Sequence, residues 1–120
     1  MLTSLGRFLR KLRIDNGEIL KDMAEKLDVS ASFLSAVENG KKHMPSEWNE
    51  KISTLYSLDE DQLSDFTRAI AESEKVIEMN LYNANAEQRE VAVSFARRFS
   101  NIDDSQIEAI RKILFGGNNK

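Results

Sequence analysis

Apolar residues return along this chain every three or four positions, the spacing of one face of an α-helix. Leu5, Phe8, Leu9 and Leu12 predict a helix over about residues 4–14, capped by Thr3 or Ser4 and closed by the turn cluster of Asp15, Asn16 and Gly17. Met23, Ala24 and Leu27 share a face of a second helix that starts near Ile19. Asp28 and Val29 interrupt it, Ser30 supplies a cap, and Leu34 and Val37 repeat the apolar spacing in a third helix that Gly40 stops. After a loop at His43, Met44 and Pro45 comes a fourth stripe of Trp48, Ile52, Leu55 and Tyr56, with Trp48 read as core. Asp59 and Gln62 form a capping box that opens a long helix over about 59–82. Its Leu63, Phe66, Ile70, Ile77 and Leu81 follow a seven-residue rhythm that Ser73 breaks. Asn85 with Gln88 opens a helix over about 86–99 carrying Val91, Ala92, Phe95, Ala96 and Phe99. Ser105 with Glu108 opens the last, which carries Ile107, Ile110, Ile113 and Leu114, ends at Gly116 and Gly117, and leaves residues 118–120 as a tail.

Residues 20–40 organise the rest. Ala24 matters by being small, since a bulky side chain there would hold the third helix away from the second. Two short helices crossing near a right angle around small and aliphatic residues make a helix-turn-helix. The run from Ala24 through Val29, Ser30, Leu34 and Val37 to Glu38, Asn39 and Gly40 resembles the lambda-repressor-like (Xre/Cro type) helix-turn-helix domain. Residues 5–13 resemble its first helix, and Lys41, Lys42, Pro45, Trp48 and Ile52 its later part, so the likeness covers roughly the first half of the chain. Helical spacing puts Ser30, Ala31, Ser32, Phe33, Ser35 and Ala36 wholly or partly on the outer face of the third helix. The resemblance implies that this helix lies in the DNA major groove, with these residues and Asn39 lining the duplex. Phe33 reads equally as a core or dimer-contact aromatic. Two positions depart from the family. Ile19 and Leu20 stand where it usually has a Ser or Thr cap and a glutamine that touches the DNA backbone, a contact that is either missing here or replaced by Lys21. Asp28 stands where glycine is usual, and Asp tolerates the left-handed conformation better than most residues.

Charge first argues against a nucleic-acid partner, because the formal net charge is −3. Its distribution changes the picture. Up to Leu58 there are nine basic and eight acidic residues, and after it eight and twelve, so the acidity belongs to the second half. Arg7, Arg10, Lys11 and Arg13 form one basic patch free of acids, and Lys41 and Lys42 follow the third helix as another. Arg10, Lys21, Lys41 and Lys42 are the expected phosphate contacts. The third helix carries no Arg, Gln or Asn before Asn39, so sequence readout is expected to rest on few contacts, on DNA shape, or on residues outside this helix.

Other chemistries find little support. There is no cysteine, and His43 is the single histidine, which builds neither a zinc site nor a catalytic triad. No phosphate-cradling glycine loop occurs, and Asp103 and Asp104 sit where helix starts favour negative charge. Arg97 and Arg98 read as a solvated helix face. No cofactor, metal or enzymatic activity is expected, and no apolar run is long enough to span a bilayer. The start is too basic and too interrupted for a signal peptide, so a cytoplasmic protein is expected.

The sequence therefore predicts an all-α protein: a helix-turn-helix domain over 1–58 and a helical extension over 59–120. The extension is expected to dimerise through Leu63, Phe66, Ile70, Ile77, Leu81, Phe95 and Phe99, or else to fold back on the first domain. Two recognition helices about one DNA turn apart need a two-fold dimer and a palindromic operator. The expected function is a homodimeric regulator of transcription, most simply a repressor, in the bacterial or phage setting that the resemblance implies. The alternative is a protein-interaction module, of the antitoxin or phage-inhibitor kind, that grips a partner with its acidic helices.

Overall fold

The computed structural model describes residues 1–116 as seven α-helices with no strand among them. They are α1 (Ser4–Asp15), α2 (Leu20–Lys26), α3 (Ala31–Glu38), α4 (Trp48–Leu55), α5 (Glu60–Ser73), α6 (Ala86–Arg98) and α7 (Asp104–Arg111). A 3-10 turn (Phe99–Asn101) precedes α7, and a π-helical turn (Lys112–Gly116) follows it. Residues from Met1 to Met79 form one compact unit, and those from Asn80 onward a second. Gly117 and the expected polar tail lie outside the described residues. No helix among the described residues is long and apolar enough to cross a membrane.

The core of the first unit is the set of stripes expected from spacing. Leu5, Leu9, Met23, Leu27, Leu34, Val37, Trp48 and Ile52 are fully buried, and Ala24 is buried between them. The helix starts follow the capping chemistry. Thr3 Oγ1 accepts from the Gly6 N–H at 3.0 Å, and Ser30 Oγ from the Phe33 N–H at 3.0 Å. At the start of α2, where Ile19 offers no acceptor, the Asp22 carboxylate reaches back to the Ile19 N–H at 2.9 Å. Half a capping box is thus formed, on the Ile19 N–H, while the half that a hydroxyl would supply is missing.

The first four helices end in one way. Gly17, Asp28, Gly40 and Ser57 each adopt a positive φ, of 67°, 60°, 77° and 47°. In each case the amide of that residue and the next bond back to carbonyls three and five positions earlier, as Gly40 N–H does to Val37 and Lys41 N–H to Ala36. This is the Schellman motif, and Asp28 closes it where a glycine would cost less.

Three sequence-based expectations change. The helix expected over 59–82 stops at Ser73, because the chain's end of α5 is engaged elsewhere. Ser73 Oγ accepts from the Leu5 N–H at 2.8 Å, and the next residue, Glu74, is extended with its carboxylate accepting from the Met44 N–H at 3.0 Å. Ile77 and Leu81 therefore lie outside any helix. Second, α5 packs on α1. Phe66 and Ile70 are buried, and Phe66 stacks on Phe8 with ring centroids 5.1 Å apart. The compact unit thus runs past the expected boundary at Leu58, and Phe66 and Ile70 are occupied within their own chain rather than available to a second copy. Of the other expected dimer contacts, Leu63, Ile77, Phe95 and Phe99 are exposed and Leu81 is half-buried. Third, the cap of α7 is Asp103 paired with Gln106, two residues earlier than Ser105 and Glu108.

Candidate nucleic-acid interface

The surface is set by how closely α1 holds the end of α3. A Cβ built on Gly6 would lie 2.2 Å from the Glu38 carbonyl oxygen, so only glycine permits this approach. Thr3 donates to that oxygen from its N–H at 3.0 Å and its hydroxyl at 3.2 Å. Below it, Arg13 and Glu38 form a buried ion pair through both guanidinium nitrogens, one at 3.3 Å, and Arg13 Nη1 also meets Met23 Sδ at 3.6 Å. Arg13 thus leaves the basic patch that the sequence suggested. One carboxylate and one lysine hold other joints. Glu18 accepts from Lys26 and from the Tyr56 hydroxyl, the latter at 2.6 Å, with Lys26 lying over the Tyr56 ring. Burial raises the Glu18 pKa, but the bonds from Lys26 and Tyr56 outweigh it and leave the carboxyl below its usual value. Burial first, and then the same carboxylate, push the Tyr56 phenol up. Lys51 donates to the Leu27 carbonyl at 3.2 Å at the end of α2.

With Leu34, Val37 and Glu38 turned inward, helical spacing puts Ser32, Ala36 and Asn39 along the outer ridge of α3, with Ser35 beside them. Ser30 and Ser32 are exposed, and Ser35, Ala36 and Asn39 are half-buried. Ala31 and Phe33 lie on the flanks, partly buried against the core. Phe33 meets Trp48 edge-on with centroids 6.1 Å apart, so the ring belongs to the margin of the core. The Trp48 indole N–H is buried without an acceptor, and this side chain serves as apolar backing. The Asn39 amide donates to the Ser35 carbonyl at 2.9 Å, which leaves its carbonyl oxygen for any outside partner.

Arg10, Lys21, Lys41 and Lys42 are exposed and make no ion pair among the described residues. By contrast Lys11 pairs with Asp15 at 3.1 Å, and Arg7 folds onto the Leu2 carbonyl and Ser4. Ile14 and Ile19 are 68% and 65% exposed. Sequence reasoning missed Gly6, Glu38, Glu18 and Tyr56. Only Gly6 and Arg13, seven apart and so on one helix face, carried a local signal.

A second short helix packed on the first with a tight left-handed turn between them is a helix-turn-helix, the arrangement that DNA-binding proteins use. The family model described as a helix-turn-helix domain matches residues 4–66, and the chain belongs to this family, in keeping with the lambda-repressor-like type. The match reaches into α5, the helix that packs on α1. Neither the curated proteins nor the solved structures yield a significant match.

Proposed function

We propose that this protein is a sequence-specific transcriptional regulator, a repressor that binds a palindromic operator as a homodimer and blocks a promoter. The observation that carries the reading is the outer ridge of α3. Ser32, Ala36 and Asn39 leave the helix slim enough to enter a groove, and exposed Ser30 stands at its start. Lys41 and Lys42 follow its C-terminal cap, and Lys21 lies on the preceding helix, so cations without ion-pair partners flank the ridge in sequence. Phosphates position such a protein, and base edges specify its site. Because small residues form few bidentate contacts, discrimination rests on Asn39 and on DNA shape, while the flanking cations add affinity without reading sequence.

The test is binding to the duplex upstream of the protein's own gene, followed by footprinting at several salt concentrations. Affinity that falls as salt rises, with two protected half-sites about 34 Å apart, is the expected result. A second reading, the protein-interaction module, is favoured by Ile14 and Ile19, which expose apolar surface on either side of the turn, Ile19 at the position where the family usually has a polar cap. Tight binding to a neighbouring gene's product without any footprint would establish that reading instead.

A further inference from the structure

From Asn80 onward the described residues include none that is buried. Val91 and Phe95, 68% and 40% exposed, lie on a well-capped helix of 13 residues, and Phe99, 59% exposed, follows directly at its end. Between α6 and α7 runs a groove of about 640 Å³, with Val91 and Phe95 on one wall and Ala109 and Ile110 on the other. Apolar walls of this extent are normally covered.

We propose that the cover is a second copy of this chain, with α6 packed antiparallel on its counterpart across a two-fold axis at Ser94. The inference deepens the homodimer reading above and rests on it. Glu90, Ser94 and Arg98 recur every four residues on the side of α6 that lines the groove. Ser94 is midway between the charges, which are about 12 Å apart along the axis. An antiparallel two-fold through Ser94 therefore puts Glu90 of each copy beside Arg98 of the other. The small serine at the crossing point lets the helices come close. A parallel pairing would set like charges together. The same polarity recurs at larger scale, since α6 carries Glu87 in its first turn and Arg97 and Arg98 in its last, and α7 carries Asp104 first and Arg111 last.

The size is sufficient. Helices α6 and α7, the latter counted through its π-helical turn, are each 13 residues, about 20 Å long and about 10 Å wide. Two such corrugated faces bury on the order of 1,000 Å², the lower bound for a specific interface. Phe95 from each copy supplies an aromatic anchor near the centre, where hot spots concentrate.

The experiment measures the mass of the full-length chain by sedimentation across a concentration series, alongside footprints of the same samples. Glu90→Arg and Arg98→Glu each create two like-charge pairs and are expected to raise the dimer dissociation constant about tenfold. The double variant Glu90→Arg/Arg98→Glu restores opposite charges and is expected to recover the wild-type constant. Phe95→Ala weakens the dimer without a change in charge, and circular dichroism checks that helix content is retained in every variant. A monomeric wild-type chain, or a double variant no better than the singles, overturns the proposed pairing. If that monomer still protects a half-site, DNA binding stands while the pairing falls. If the charge exchange rescues the dimer but no duplex is bound, the pairing stands and the operator reading falls.

Discussion

Gly6→Ala sets two effects against each other, and the structure decides the sign. In a helix interior, alanine is favoured over glycine by about 1 kcal/mol, so propensity alone predicts a more stable protein. At Gly6 the new methyl would lie 2.2 Å from the Glu38 carbonyl oxygen and 2.9 Å from its carbon, both backbone atoms. The two helices would have to part by about 1 Å to reach ordinary contact. Overpacking of this kind costs about 1–3 kcal/mol. The separation also weakens the two bonds from Thr3 to Glu38, each worth about 1 kcal/mol. Sterics therefore win, and the expected net loss is about 2–4 kcal/mol. For the compact unit of residues 1–79 this is a fall in Tm of about 10–25 °C. Trp48, the single tryptophan and fully buried, reports that unit selectively by its fluorescence during urea unfolding. Gly17→Ala is the control, since nothing lies within 4 Å of its Cβ and only the positive φ is strained. It is expected to lose about 1 kcal/mol. A Gly6→Ala protein as stable as wild type would refute the close approach of α1 to α3.

The remaining expectations concern caps, charges and pH. Ser57→Gly relieves a left-handed serine and is expected to raise stability by about 0.5–1 kcal/mol in the same urea assay, with Asp28→Gly raising it less because Asp tolerates that conformation better. Glu38→Ala leaves Arg13 buried without its carboxylate and is expected to lose about 3–5 kcal/mol, while Arg13→Met/Glu38→Leu loses much less than the two single changes together. Because the Glu18 carboxyl lies below its usual value, it stabilises the fold above the unfolded pKa of 4.5, and this is lost as pH falls through the lower folded value. The raised Tyr56 phenol acts in the opposite direction, with its contribution complete below pH 10.0 and lost as pH rises toward the folded value. Tyr56→Phe should reduce both dependences in urea titrations run from acid to alkaline pH. Lys41→Ala and Lys42→Ala each remove one phosphate contact per half-site and should lower the slope of log affinity against log salt by about two for the dimer, evenly across DNA sequences.

Local periodicity was enough for the first four helices, since the stripes through Leu5, Met23, Leu34 and Trp48 and the caps at Thr3 and Ser30 are interactions within a turn or two of chain. The outer ridge of α3 followed from the same spacing, whereas the left-handed residue at position 28 was implied by the resemblance, which has glycine there. An apolar stripe, however, states that a face is buried and not what buries it. Phe66 and Ile70 read as dimer contacts, and only tertiary packing placed them on α1. Arg13 belonged to a basic run by sequence, but its partner Glu38 is 25 residues away, and the proximity comes from Gly6. Ser73 looked like a flaw in a long helix, whereas its hydroxyl completes the start of α1, 68 residues earlier. What the sequence determined by itself was each helix and the side it buries, because those depend on neighbours three and four residues apart. What only the tertiary structure decided was the partner of each buried face and charge, because such pairs are fixed by the crossing of helices far apart in the chain.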